Sequence, residues 1–132
     1  MHEIAKRFNF SASHQLAQLP EGHKCRRLHG HNYTVEVRVA ADELDEDGFV
    51  VDFAELDRVG QWMRATLDHR HLNDVIDGAP TSERLAAEVF AWCQAHLRLR
   101  PGAALRAVRV AETASTWAEY RPSGSFRLGE ER

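Results

Sequence analysis

The chain is poor in the features that announce several common classes of protein. Among its 132 residues are only two cysteines, Cys25 and Cys93, too few for a disulfide framework, so metal ligation or catalysis accounts for them as well as pairing does. No apolar run approaches the roughly 20 residues that a membrane-spanning helix needs. The opening MHEIAKRFNF holds no signal-peptide core, so a cytoplasmic protein is expected. Positive charge is not in excess either: 17 Lys and Arg stand against 20 Asp and Glu, a net charge of -3, without the basic footprint of a nucleic-acid binder. Repeats, low-complexity tracts and Pro/Ser-rich linkers are missing, and one domain over residues 1–132 is expected. A chain of this size can bury roughly two-thirds of its unfolded surface, enough for a real core.

What is present is patterned. Residues 4–14, IAKRFNFSASH, place Phe8, Phe10, Ala12 and His14 on one face at period two, a half-buried strand. Gln15–Lys24 contains Leu19-Pro20-Glu21-Gly22 and reads as a loop. Tyr33–Val39 alternates apolar and polar, a second strand. Acidic Asp42–Gly48 is a solvated turn that lacks the ligand spacing of a calcium loop. Leu56, Val59, Met63 and Leu67 trace an amphipathic helix over 54–67. A second helix opens at Pro80-Thr81-Ser82-Glu83, its apolar stripe including Cys93 as a small buried hydrophobe, and ends at Arg100-Pro101-Gly102. Strands are expected over Leu105–Ala111 and Trp117–Arg121, with a loose tail after Pro122. The order strand, strand, helix, helix, strand, strand predicts an α+β fold with a four-stranded antiparallel sheet and both helices on one face. The other face then needs cover, and a homo-oligomer is expected.

The histidines form the candidate site. His29 and His31, flanking Gly30, share one face of an extended segment, and His14 ends the neighbouring strand. Three neutral imidazoles with one position open are the usual pattern of a catalytic zinc site, though each ring could equally be structural. Cys25 could be a fourth ligand of a closed site. Asp68-His69 pairs a carboxylate with an imidazole, either a proton relay or part of a surface run through His71. Glu112 ends an apolar strand, as a solvated cap or as an anchor for a ligand with adjacent N–H donors.

Seven pieces in order resemble the 6-pyruvoyl-tetrahydropterin synthase superfamily, most closely its bacterial 6-carboxy-5,6,7,8-tetrahydropterin synthase branch. They are Phe8-x-Phe10-x-Ala12-x-His14, Pro20–Cys25, Leu28–His31, Asp52–Leu56, Leu67–His69 with Leu72-Asn73, Pro80–Glu83, and Glu112-Thr113 with Tyr120. Arg26 and His71 depart from the pattern, which commonly has a small and an aromatic residue there.

The resemblance implies the tunnelling fold, in which trimers close a barrel and two trimers stack, so a hexamer with sites between subunits. It implies one Zn2+ per subunit on His14, His29 and His31, and catalytic roles for Cys25 as proton acceptor and Asp68 and His69 as relay. Glu112 would anchor the pterin's aminopyrimidinone edge, with Thr113 beside it. The implied substrate is 7,8-dihydroneopterin 3'-triphosphate, converted to 6-carboxytetrahydropterin with release of acetaldehyde and triphosphate, a lyase step in queuosine and 7-deazapurine biosynthesis. Nicotinamide and flavin are not called for, in keeping with the lack of a Gly-rich dinucleotide fingerprint. Two alternatives stay open: the pyruvoyl synthase reaction, which keeps all side-chain carbons, and a non-catalytic zinc module with Cys25 as fourth ligand.

Overall fold

A computed structural model describes residues 1–123; the tail expected after Pro122 lies almost wholly outside them. Chain order is β1 (His2–His14), β2 (His29–Ala41), α1 (Asp57–Thr66), β3 (Arg70–His71), α2 (Ser82–His96), β4 (Ala103–Ala111) and β5 (Ala118–Tyr120). A short 3-10 turn, Phe53–Leu56, leads into α1, with the Asp52 carboxylate accepting from Ala54 N at 2.9 Å. Thr81 caps α2, its hydroxyl accepting from Arg84 N at 3.2 Å.

The five strands form one sheet in the order β3-β1-β2-β4-β5. β1 and β2 run antiparallel over their full length, from His2 opposite Ala41 to His14 opposite His29. β4 and β5 extend the antiparallel part. The sheet is therefore not the four-stranded antiparallel one that the pattern predicts. β3 adds a fifth strand, parallel to β1 through Ala12 with Arg70 and Ser13 with His71. Two residues are too few to make a periodic signal. They are held by their neighbours, with His69 N donating to Ser11 O at 2.6 Å.

Both helices cover the face that carries Phe8, Phe10, Tyr33, Val35, Val37 and Val39. Phe10 and Tyr33 stack at 4.9 Å, and Leu56, Val59, Met63, Leu85, Val89 and Phe90 close the core above them. Cys93 lies in this core, and burial pushes its thiol up to about 12, so it is an inert apolar group.

The opposite face differs from expectation. It carries Arg7, Asn9, Ser11, Asn32, Thr34, Glu36, Arg38, Arg109 and Glu119 rather than apolar groups, cross-linked by hydrogen bonds and ion pairs. An unmet need for apolar cover is therefore no argument for an oligomer. The sheet's edges are a better one: β3 pairs with β1 only at Ala12 and Ser13, and β5 with β4 only at Val108–Val110. Most of the outer edge of β1 has no strand partner among the described residues.

Candidate functional site

The helix-covered face runs past the core at one end of the sheet, and there β1 and β2 bring three imidazoles together. Ala12 pairs with His31 and His14 with His29, so strand alternation points all three rings the same way. His14 is fully buried. The ring centres of His14, His29 and His31 lie 4.5 to 5.1 Å apart, and one nitrogen from each falls within 4.8 Å of the others.

The partners of these rings decide which atoms are free. His14 Nδ1 is 2.9 Å from the Pro80 carbonyl, and His29 Nδ1 is 2.6 Å from the Arg27 carbonyl. A carbonyl accepts only, so each Nδ1 carries the proton and each Nε2 presents a lone pair. Those two Nε2 atoms are 2.9 Å apart. Two lone pairs at that distance repel unless a cation or a proton lies between them. His31 Nε2 is buried with no hydrogen-bond partner among the described residues. Burial, the first cause, holds His31 below the usual imidazole range, and neighbouring His14 and His29 add to it against the opposing charge of Glu112. The neutral ring is the form that ligates. Three neutral imidazoles with unspent nitrogens thus fit a metal ion and could hold one.

Glu112 follows β4 and reaches the same place, its Oε2 3.4 Å from His31 Nε2. Ser82 donates to the other oxygen, Oε1, at 2.7 Å. Thr81 supplies the helix cap, which leaves the adjacent Ser82 hydroxyl for this task. In the sequence both residues mark only the start of the second helix. Tyr33 was also legible only as a strand residue; its hydroxyl is 3.3 Å from His14 Nδ1, and burial, with Glu112, pushes its pKa well up.

Two clefts flank the imidazoles. An open cleft of about 510 Å³ is lined by Ser11, Ala12, Ser13, Gly30, His31, Asn32, His69, Arg70 and His71. A second, of about 240 Å³, is lined by Leu16, Ser82, Glu112, Trp117 and neighbours. His31 and Glu112 stand between the two.

His69 lines the larger cleft from the turn between α1 and β3, with Asp68 beside it. Asp68 Oδ1 accepts from Ser11 N at 2.9 Å and lies 3.0 Å from His69 Nδ1. The Ser11 amide first, then His69, hold its carboxyl below the usual range. His69 adopts φ +59°, a left-handed conformation costly for a residue with a side chain, and its ring is largely exposed.

Among the described residues no contact joins Cys25 to these groups. It lies in a 3-10 turn, Lys24–Arg26, half-buried, with its amide on His23 Nδ1 at 3.1 Å and its carbonyl accepting from Leu16 N. Its thiol has no partner among the described residues, and it lines neither cleft. Within one chain it is not joined to Asp68 or His69. Thr113 is likewise engaged elsewhere, its hydroxyl 2.6 Å from that of Thr116 in the turn before β5. Arg26 closes its own loop by donating to the carbonyls of Ala17 and Leu19, at 2.6 and 3.0 Å.

Known proteins share this sequence and architecture. The profile of the family described as 6-pyruvoyl tetrahydropterin synthase matches residues 3–123. A Synechocystis protein named 6-carboxy-5,6,7,8-tetrahydropterin synthase is 42% identical over 123 residues, covering 89% of this chain and 91% of its own. The Bacillus subtilis protein of the same name is 36% identical over 128 residues, covering 91% and 85%. Among solved structures, Caenorhabditis elegans 6-pyruvoyl tetrahydropterin synthase superposes with a TM-score of 0.78 at 26% identity, over 92% of this chain and 96% of that one.

Proposed function

Since the chain belongs to the 6-pyruvoyl tetrahydropterin synthase family and is a pterin-processing lyase, we propose that it is a zinc-dependent 6-carboxy-5,6,7,8-tetrahydropterin synthase, formed by residues 1–132 as one domain. Its substrate is 7,8-dihydroneopterin 3'-triphosphate and its products are 6-carboxytetrahydropterin, acetaldehyde and triphosphate, in the cytoplasmic synthesis of queuosine or another 7-deazapurine. The convergence of His14, His29 and His31 beside Glu112 carries this reading.

His14, His29 and His31 would hold the zinc, whose Lewis acidity makes protons beside the substrate's side-chain hydroxyls easier to remove. The remaining work belongs to the chain. Glu112, oriented by Ser82, accepts from a ring N–H and the exocyclic amine of the pterin together, a charge-assisted bidentate contact, with Thr113 nearby. Asp68, ionised through its bond from Ser11, fixes His69 Nδ1–H and leaves Nε2 to take up and return a proton. Cys25 acts as the base toward the side chain. Because Cys25 and His69 do not meet within one chain, their cooperation calls for two copies, and we propose a hexamer built of two trimers. The open edges of β1 and β5 support that assembly.

Metal content and turnover of the Cys25→Ala protein test the reading together. Zinc should stay at one per chain while turnover falls at least a hundredfold. Loss of zinc would instead make Cys25 a fourth ligand in a non-catalytic site. The pyruvoyl reaction is separated by product: acetaldehyde and 6-carboxypterin are expected, and a pyruvoyl product without acetaldehyde would overturn the assignment.

A further inference from the structure

Asn73 lies just beyond β3 and has no part in the site described so far. Its carboxamide closes on the backbone of Gln15, which is 58 positions away in the chain. Asn73 Oδ1 accepts from Gln15 N at 2.9 Å, and Asn73 Nδ2 donates to Gln15 O at 2.8 Å. A carboxamide carries both a donor and an acceptor, so one side chain returns the two bonds that an adjoining strand would make.

The same edge of β1 is fastened at a second point. Ser11 N donates to Asp68 Oδ1 at 2.9 Å, and Ser11 O accepts from His69 N at 2.6 Å. Between these points β3 pairs beside Ala12 and Ser13. Residues 68–73 therefore form a strap along residues 11–15, with a side chain standing in for backbone at each end, Asp68 at one and Asn73 at the other. The Asn73 end is itself anchored. Leu72 is fully buried, and its carbonyl accepts from Val75 N and Ile76 N at 3.1 and 2.9 Å.

His14 lies inside the strapped span, one residue before the latch. The pairing of β1 with β2 ends there, at His14 opposite His29, and a loop follows. Strand ends are where local opening is cheapest, so a ligand at the last paired position needs a clamp beyond it. Gln15 is that point, and the next residue, Leu16, donates to Cys25 O at 3.0 Å.

We propose that Asn73 is a positioning residue: by clamping Gln15 it keeps the end of β1 closed and holds His14 in register with His29 and His31, and so sets the affinity of the three imidazoles for a metal ion that it does not touch. The proposal rests on the zinc reading given above for the identity of the ion.

The test uses the full-length, metal-free protein and three variants. Competition with a chelator of known affinity gives the Kd for Zn2+, thermal unfolding gives stability, and 15N NMR follows the His14 Nδ1 proton that bonds to Pro80 O. Asn73→Leu keeps the size of the side chain and loses both bonds. It should weaken Zn2+ binding about tenfold or more, the range seen when groups that orient a metal ligand are removed. Asn73→Asp keeps an acceptor for Gln15 N but loses the donor to Gln15 O, and its affinity should fall between wild type and Asn73→Leu. Val89→Ala opens a cavity in the core away from Gln15 and lowers stability, yet should leave the Kd within about twofold. An unchanged Kd in Asn73→Leu, with only the unfolding temperature lowered, overturns the proposal by making the latch a stability device. Equal losses of affinity in Asn73→Leu and Val89→Ala overturn it as well. A wild-type protein that binds no Zn2+, but whose His14 Nδ1 proton signal is lost in Asn73→Leu and kept in Val89→Ala, retains the latch and removes the zinc reading instead.

Discussion

Glu36 stands on the open face of the sheet and yet is only 6% exposed, because Arg7 and Arg38 fold over it with contacts of 2.9 and 2.6 Å. Burial alone would raise its pKa, but the bonds and charges of the two guanidinium groups outweigh that and hold it below the usual carboxylate value. The folded state therefore binds a proton at Glu36 less readily than the unfolded one. Its stabilisation is complete above the unfolded pKa, about 4.3, and is lost as the pH falls through the lower folded value. Glu36→Gln should cost about 1–3 kcal/mol at pH 7, as expected for losing hydrogen bonds to charged groups. Read by urea unfolding, the stability gap between the two proteins should narrow as the pH is lowered below the unfolded pKa of about 4.3; a gap that does not change with pH would refute the ionic account. At this scale the sequence was informative where chemistry is rare. Three histidines at strand spacing stood out, and the fold brings them together, whereas Ser82, a common residue whose contact with Glu112 depends on a neighbour 30 positions along the chain, did not.

Among the elements, α1 rests on β1 through Gly60. A Cβ there would lie 2.9 Å from Phe8 Cδ1, so the glycine serves close approach of helix to strand. Gly60→Ala gains up to about 1 kcal/mol of helix propensity. Overpacking against a ring held in the sheet costs roughly 1–3 kcal/mol, and a net loss is expected. A lowered thermal midpoint checks it, and Gly60→Ala combined with Phe8→Leu should recover part of the loss. Period-two and period-3.6 patterns made β1, β2 and both long helices legible, because each buries one continuous face. β3 was not legible, since its pairing is set by Ser11 and Asp68, 57 residues apart. The expectation that the second face needs cover also failed on information already present: Arg7, Asn9 and Ser11 alternate with the phenylalanines, so the second face had to be polar.

For the whole molecule, the decisive measurement is mass in solution. The chain weighs 15.0 kDa. Light scattering should give six times that value, and a monomer active at assay concentration would overturn the shared site. If two copies complete one centre, mixing inactive Cys25→Ala protein with inactive His69→Ala protein should restore part of the turnover, because some centres then receive both intact residues. The conformation of His69 adds a cost of a different kind. A left-handed backbone is cheapest with glycine, so this position sets durability against chemistry. Laboratory selection for heat resistance alone would favour replacing the imidazole, and only selection that also demands product would retain it. Among the described residues His69 is the one non-glycine with positive φ, and it therefore records which of the two demands shaped it.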